Sequence, residues 1–226
     1  EDVAPDSQMA DDLRIIEKQT KICGKIVSDL LGFSRQNQTT RTEVNINESI
    51  EEVISLVEHT FSLSHVRIQH AFDPNIPDIE GDKDKLKQVW LNLFNNAFDA
   101  VEHDGCIRVT TKLCAHRRRV AITVTDTGTG IKYEFLNKIF DPFFSTKPVG
   151  KGTGLGLSVT FGIIHDHGGR INVLSPAPKE YVQAMGEAGH SAGPGTVFLV
   201  ELPLWQMTLP EEECEELGLS GATQET

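Results

Sequence analysis

The sequence predicts an α+β domain: a two-layer α/β sandwich in which helices cover one face of a mixed sheet, preceded by a long N-terminal helix. Three observations predict this class. Segments with helical and with strand periodicity occur in an order that lacks regular strand-helix-strand alternation. Two strand-like segments follow each other directly, as a hairpin. A long segment with helical periodicity precedes all of them.

The N-terminal helix is predicted over residues 9–36. Its apolar residues form two neighbouring stripes, which favours a helical bundle or a dimer interface. A surface helix packed once on its own domain is the alternative. The polar residues 36–40 mark a boundary, so we predict a helical segment at 1–38, a main domain at 39–206 and an acidic flexible tail at 207–226.

Three more helices are predicted in the main domain. Asn47 is expected to cap the first, because glutamates fill the turns that follow it. Asp82 is expected to cap the second, which extends to about Glu102 and has one apolar face. The third follows a glycine-rich loop and ends near His167, where two glycines stop it.

Short alternating segments predict the strands of the sheet. Residues 176–195 are rich in proline and glycine, and they are predicted to form a long mobile insertion before the last strand. The predicted strands lie at residues 66–70, around Ile79, at 107–113 and 120–124 as the hairpin, at 171–173 and at 196–202.

The composition excludes several classes of function. With 33 acidic and 21 basic residues the net charge is −12, which argues against nucleic-acid binding. The four cysteines are scattered without zinc-ligand spacing, as is typical of reduced thiols in a cytoplasmic protein. No apolar run approaches the about 18 residues of a membrane-spanning helix. We therefore expect a cytoplasmic location and no membrane segment in this chain.

The loop between Phe140 and Ser158 is the first candidate site. Its glycines lead directly into an apolar helix, so backbone N–H groups can face a phosphate at a positive helix end. Lys147 and Lys151 add cations to the same loop. A plain glycine-rich surface loop is the alternative that this segment leaves open. The glycines are Gly150, Gly152, Gly154 and Gly156.

Asparagines on the second predicted helix form the next candidate. Asn92 and Asn96 lie on the same helix face, and amide oxygens can ligate Mg²⁺ that shares its other ligands with phosphates. Caps or solvated polar positions are the alternative, although asparagine is unfavourable inside a helix.

Asp126 ends an apolar strand and precedes a threonine-glycine repeat. A carboxylate fixed there can accept a hydrogen bond from the exocyclic amine of an adenine, with Gly128 and Gly130 letting the base lie against the backbone. An aspartate that only bonds its own turn is the alternative.

Together these segments resemble the sensor histidine kinases of two-component systems, of the nitrogen-regulator type. The resemblance covers about residues 41–204, and the order and spacing of the motifs agree as well. Residues 167–171 and 195–198 are similar to the closing segments of the family. The four matching motifs are NLFNNAFDA (92–100), similar to the N box, DTGTGI (126–131), the first glycine box, FDPFFSTK (140–147), the F box, and GKGTGLGLS (150–158), the second glycine box.

The resemblance implies a Bergerat-type (GHKL) fold that binds ATP and Mg²⁺. Asn96 would ligate Mg²⁺, and Asp126 would bind the adenine with support from Thr196. Residues 132–153 would form a lid anchored by Phe140 and Phe143. The other residues implied to bind ATP are Gly128, Gly130, Ile131, Phe140, Lys147, Lys151, Gly152, Thr153, Gly154, Leu155 and Gly156.

The resemblance also bears on the reaction. Related ATP hydrolases carry a glutamate general base one turn before the metal asparagine, and Asn92 stands at that place. An amide cannot take a proton from water, so the site favours transfer of the γ-phosphate to a better nucleophile. Asn92, Lys147 and Lys151 are therefore the predicted catalytic residues. A protein-serine kinase of the same fold and a nucleotide-sensing module without chemistry are the alternatives.

The phosphoacceptor of the family is a histidine in an H-E or H-D motif on a preceding helix. None of the eight histidines has that context, whereas residues 16–35 are similar to the second helix of the dimerisation and phosphotransfer hairpin. The chain is therefore expected to begin inside that hairpin and to bind ATP without phosphorylating itself. The expected partners are the acceptor helix of the full-length kinase, a response regulator receiver domain and a second kinase copy. The full-length protein could be soluble or membrane-anchored.

Overall fold

The computed structural model describes residues 41–114, 118–148, 152–186 and 193–204, together with isolated positions between 8 and 24. These isolated positions are helical, as predicted for the N-terminal segment. The rest of that helix, the boundary at residue 38 and the predicted acidic tail lie outside the described residues, so the division into domains stays a prediction.

Helices and strands follow one another in the mixed order that the sequence predicts. The helices are α1 (Ile46–Ser62), α2 (Lys83–Val101), α3 (Gly156–Asp166) and the short α4 (Lys179–Gln183). The strands are β1 (Thr42–Val44), β2 (Arg67–Ala71), β3 (Ile79–Gly81), β4 (Cys106–Cys114), β5 (Arg119–Asp126), β6 (Arg170–Leu174) and β7 (Thr196–Pro203).

The main sheet is mixed and has five strands in the order β2-β4-β5-β7-β6. Strand β2 runs parallel to β4, and the other neighbours pair antiparallel. In this register Val124 of β5 lies between Val109 and Phe198 of its two neighbours. Strands β1 and β3 form a separate antiparallel pair. The predicted α+β class is therefore confirmed.

The core lies between one face of this sheet and helices α1, α2 and α3. Strand alternation places apolar side chains of β4, β5 and β7 on the face that the helices cover. Trp90 and Phe94 of α2 are fully buried there, and the Trp90 indole N–H donates to Ser49 Oγ at 3.1 Å. Each such apolar side chain contributes about 1.5–3 kcal/mol by leaving water. This packing fixes α2 against the sheet.

The predicted cap of α1 is wrong, and the cap of α2 is confirmed. Asn45 caps α1 by accepting the Glu48 N–H at 3.1 Å. Asn47 lies inside the first turn, and its amide bonds the Asp73 carbonyl and the Thr111 hydroxyl at 2.9 and 2.8 Å. Strand β1, which the sequence did not reveal, ends just before Asn45 and shifts the helix start.

The segment predicted as a mobile insertion contains local structure. Helix α4 lies within it, and Met185 is only 2% exposed. The Ala177 N–H donates to the carbonyl of Pro194 at 2.8 Å, which joins the two ends of the segment. Residues 187–192 lie outside the described part of the chain, so the correction concerns residues 176–186.

The two ends of helix α3 have different surroundings. At its C-terminal end the Arg41 guanidinium, just before β1, donates to the Asp166 carbonyl at 2.7 Å, where a cation is favoured. Its N-terminal end follows the glycine loop.

None of the helices in the described residues has the length and apolar character to cross a membrane.

Candidate functional site

Helix α2 carries three contacts of the candidate site on one face. Asn92, Asn96 and Ala100 follow one another at four-residue intervals, so each step moves about 6 Å along the helix axis. Helix α3 contacts Asn92, Lys147 contacts Asn96, and the loop after β5 contacts Ala100. The structure thus brings the four sequence motifs together along a single helix.

Asn92, Asn96 and Ala100 thus form a row along α2. Asp126 lies at the end of β5, next to the Ala100 end of this row. Its side chain is almost fully buried, and it accepts the Gly128 N–H at 2.8 Å and the Thr196 N–H from β7. Burial raises the pKa of Asp126 to about 7, and these two N–H groups limit the rise. Within the described residues no cation pairs with this carboxylate, so a further N–H donor from a ligand would stabilise its charged form.

The loop after Asp126 packs tightly against α2. The Thr129 N–H donates to the Ala100 carbonyl at 3.0 Å, and a Cβ on Gly128 would lie 2.5 Å from the Ala100 carbonyl carbon. Gly130 has a φ of +73°. Backbone packing thus requires glycine at position 128 whether or not a base lies against it, and contact with a base stays a prediction.

Ser175 fixes the far side of the same loop. Its hydroxyl accepts the Ile131 N–H at 2.7 Å and donates to the Gly195 carbonyl at 3.0 Å. The Gly195 N–H in turn donates to the Gly128 carbonyl at 3.0 Å. The connection between β6 and β7 therefore holds this loop. Sequence reasoning missed Ser175, because no local pattern marks a hydroxyl that bonds a loop 44 residues away.

Lys147 occupies the middle of the row. Its ammonium lies 3.2 Å from Asn96 Oδ1 and 2.5 Å from Asp99 Oδ2. Its stem passes beside Gly152, where a Cβ would lie 3.2 Å from Lys147 Cδ. Two predicted site residues, Asn96 on α2 and Lys147 on the lid, are therefore in contact. Lys151 lies outside the described residues, so its predicted role has no structural counterpart.

At the other end of the row, Asn92 holds the first turn of α3. Its amide nitrogen donates to the Gly156 carbonyl at 3.1 Å and lies 3.4 Å from Thr160 Oγ1. No side chain caps α3 at Leu155, whose N–H is 3.4 Å from Thr153 Oγ1. The first-turn N–H groups of α3 thus lack a side-chain cap in the described part of the chain, as at helix ends that bind anions.

A second contact sets the register of α2 and α3. His167, at the end of α3, accepts the Asp82 N–H through Nε2 at 3.0 Å. Its Nδ1–H therefore donates to the Ile163 carbonyl at 2.7 Å. Polar contacts at both ends of α3, from Asn92 at its first turn and from His167 at its last, fix the position of the α3 N-terminus relative to Asn96.

One of the two aromatic residues predicted to anchor the lid is confirmed and the other is wrong. Phe140 packs on the core beside Phe161 with ring centres 5.5 Å apart, as expected. Phe143 is 64% exposed and does not anchor the lid, whereas Phe144 packs on the core beside Phe135. Phe143 has a φ of +67°, which turns its side chain away and brings Phe144 inward. The neighbouring backbone of Gly154 also has a positive φ.

The residues of the row fit a magnesium ion that arrives with a nucleotide. No group of three or more His, Cys, Asp or Glu side chains that could hold a metal occurs among the described residues. Asn96 offers one amide oxygen on this face of α2, and the Asp99 carboxylate, one turn further along, is engaged by Lys147 and is not counted among the metal ligands. Mg²⁺ is commonly bound by one or two protein oxygens plus phosphates and water, so this donor set suits it.

Comparison with known proteins identifies the family. A family model described as histidine kinase-, DNA gyrase B-, and HSP90-like ATPase matches residues 81–206, more than half of the chain. Sensor histidine kinase ZraS of Salmonella typhimurium is 35% identical over 191 residues, which cover 84% of this chain and 37% of ZraS. Signal transduction histidine-protein kinase AtoS of Escherichia coli is 36% identical over 163 residues, which cover 72% of this chain and 26% of AtoS. The chain thus spans about a third of the length of these relatives, or less.

Solved structures agree with this relationship. The catalytic domain of histidine kinase ThkA, nucleotide free, matches with a TM-score of 0.59 and 34% identity over 72% of this chain and 95% of that chain. ThkA in complex with the response regulator protein TrrA matches with a TM-score of 0.67 and 29% identity over 89% and 53% of the two chains. These relatives confirm the predicted resemblance and do not favour a protein-serine kinase. The chain belongs to the histidine kinase-, DNA gyrase B- and HSP90-like ATPase family, and its domain is of the type found as the catalytic domain of sensor histidine kinases.

Proposed function

We propose that this chain binds ATP with Mg²⁺ and is the catalytic part of a sensor histidine kinase. It transfers the γ-phosphate to a histidine outside residues 1–226, for relay to a response regulator. One observation carries the proposal: α2 aligns the buried Asp126 loop, the Asn96 amide and the N-terminus of α3 in a single row. That order suits the base, the metal-bound phosphates and the terminal phosphate of one nucleotide.

At the base end, Asp126 accepts a hydrogen bond from the exocyclic amine of adenine. The Gly128 and Thr196 N–H groups already hold the carboxylate in place, so binding requires little reordering there. A guanine presents a carbonyl oxygen at the same place and cannot donate. This contact therefore selects ATP over GTP, since an unpaired buried acceptor is costly.

At the phosphate end, charge is balanced by several groups. Asn96 holds Mg²⁺, which neutralises charge on the phosphates and orients them when it is bound. The N–H groups of the first turn of α3, with Gly152, Thr153, Gly154 and Leu155 leading into it, face the phosphate oxygens. Lys147 and Lys151 add positive charge where negative charge develops on the phosphate oxygens during transfer.

Asn92 contributes to the reaction by its position against α3 and by its inability to act as a general base. Its amide nitrogen is engaged with Gly156 and Thr160, so it orients the helix end that faces the phosphates. It carries no group able to accept a proton from water, which disfavours hydrolysis. The γ-phosphate is thereby kept for a histidine brought in from another segment.

A solved relative supports one of the proposed partners. ThkA has been solved in complex with the response regulator TrrA, which supports a receiver domain as the downstream partner. We infer that a helix bearing the acceptor histidine docks beside the lid, that the full-length kinase is a homodimer, and that the domain works in the cytoplasm, where ATP and a response regulator are available.

A calorimetric titration tests the nucleotide site. The parent chain should bind ATP with Mg²⁺, and Asn96→Ala should lose the dependence on Mg²⁺ and weaken binding at least tenfold, since one metal ligand is removed. The exposed neighbour Asn95→Ala is the matched control and should bind like the parent. Equal binding by the parent and Asn96→Ala would remove Asn96 from the site.

A labelling experiment tests the reaction. Radiolabelled ATP should give no acid-labile phosphate on this chain alone, and it should label a histidine-bearing helix from a matching kinase when that helix is added. Acid-stable label on the chain would instead support a serine kinase. Binding of ATP without label on any added helix would support a nucleotide-sensing module.

A further inference from the structure

The ammonium of Lys147 lies between two groups of α2. It is 3.2 Å from the amide oxygen of Asn96 and 2.5 Å from the carboxylate of Asp99. The side chains of Lys147 and Asp99 are 32% and 47% exposed, so both can change partner without opening the core. The lid is thus joined to α2 at the residue that we assign to Mg²⁺.

An ammonium and a metal ion compete for the same amide oxygen. Asn96 is neutral, so its oxygen alone holds a lysine only weakly. The Asp99 carboxylate supplies the opposite charge that fixes Lys147 there, through a charge-assisted hydrogen bond. Without Asp99, the lysine would be free to sample solvent and any phosphate in the pocket.

We propose that Asp99 is a positioning residue that makes nucleotide binding depend on Mg²⁺. In the nucleotide-free protein it holds Lys147 against Asn96. When ATP binds, Lys147 moves to the phosphates and leaves the Asp99 carboxylate uncompensated beside them. Mg²⁺ at Asn96 then offsets this negative charge, whereas ATP without the metal meets repulsion from it. This inference rests on the proposed ATP site and adds a determinant of its metal requirement.

The test is a titration of the full chain with ATP, in Mg²⁺ and in excess chelator. Asp99→Asn should bind metal-free ATP about fivefold more tightly than the parent. A fivefold change in affinity is the upper end of what the interaction of one partly exposed charge contributes. Its affinity for ATP with Mg²⁺ should change less than about twofold. Asp99→Glu should restore the metal dependence of the parent. Glu58→Gln, an exposed carboxylate on α1, removes the same charge elsewhere and should leave both affinities unchanged.

Other outcomes overturn the inference in distinct ways. If Asp99→Asn keeps the metal dependence of the parent, the contact with Lys147 is only a surface ion pair. If Asp99→Asn loses affinity for ATP with Mg²⁺ more than tenfold, Asp99 is a direct metal ligand. If the parent itself binds no ATP in either condition, the proposed function fails instead of the role of Asp99.

Hydrogen exchange without nucleotide gives an independent measurement. Asp99→Asn should speed amide exchange around Lys147, because the ionic contact that joins this segment to α2 is lost. Exchange in β5, which the contact does not touch, should stay as in the parent. Unchanged exchange around Lys147 would contradict the proposed role of Asp99 in the nucleotide-free protein.

Discussion

The two ends of the proposed site are built in different ways. At the base end Asp126 is 2% exposed, and backbone N–H groups and Ser175 fix the loop around it. At the phosphate end Lys147 is held by a half-exposed carboxylate, and Phe143 is 64% exposed. The base end is therefore part of the folded core, whereas the phosphate end rests on surface contacts that a ligand can replace.

This difference separates stability from binding. Changes at the base end should alter the free energy of unfolding, because they disturb buried groups. Changes at the phosphate end should alter nucleotide affinity and leave the unfolding free energy close to that of the parent. The following experiments, ordered by expected effect, can break or sharpen this contrast.

The largest effect should come from the ionisation of Asp126. Its pKa is raised from 3.8 to about 7 in the folded chain. Below the lower value the carboxyl is protonated in both states, so burial has no electrostatic cost. As pH rises toward 7 the unfolded chain ionises first, and the free energy of unfolding falls by about 4 kcal/mol in total.

Urea denaturation at a series of pH values measures this effect. Asp126→Asn lacks the ionisable group, so the stability of the parent should fall relative to this variant between about pH 4 and pH 7. Above that range the difference between the two should stay constant. Parallel pH profiles for the parent and the variant would show that Asp126 is not buried as described.

The second effect contrasts two glycines. Gly128→Ala places a Cβ 2.5 Å from the Ala100 backbone, in the core, and should lower the free energy of unfolding by about 3 kcal/mol. Gly154→Ala places a Cβ 2.5 Å from the Phe143 backbone in the exposed lid. It should shift the lid and weaken ATP binding, with a loss of global stability below about 1 kcal/mol.

Denaturation and ATP titration of both variants check this contrast. Gly162→Ala serves as the control, because it lies in α3 with open space around its Cβ, and it should stabilise the chain by up to about 1 kcal/mol. If Gly154→Ala destabilises the fold as much as Gly128→Ala, the phosphate end is not the more adaptable one.

The smallest effect concerns Ser175. Ser175→Ala removes the two hydrogen bonds that link the base-end loop to Gly195 and should cost about 1–2 kcal/mol of stability. Ser55→Ala is the control, because its hydroxyl bonds a carbonyl on the exposed face of α1. Thermal denaturation compares the two. Equal shifts in melting temperature would mean that the loop is held without Ser175.

Local patterns predicted the parts of the fold that local physics decides. The Asp82 cap, the hairpin and the end of α3 near His167 follow from neighbouring residues alone, and all three are confirmed. The Asn47 cap was wrong because a three-residue strand, too short to show alternation, fixes the helix start at Asn45.

Contacts between distant segments set the remaining details of the site. Two adjacent phenylalanines give no periodicity that distinguishes Phe143 from Phe144, and the backbone conformation of the lid decides which is buried. The contact of Lys147 with Asp99 joins residues 48 positions apart, and the sequence offered no reason to pair them. Motifs identified which segments meet, and packing decides which atoms touch.

The bond from Arg41 to Asp166 has a practical consequence for dividing the chain. Arg41 stands three residues after the predicted boundary at residue 38, yet it caps the helix whose first turn faces the proposed phosphates. A fragment beginning at residue 42 would keep all of β1 and lose this guanidinium. An autonomous catalytic fragment should therefore start at or before Arg41.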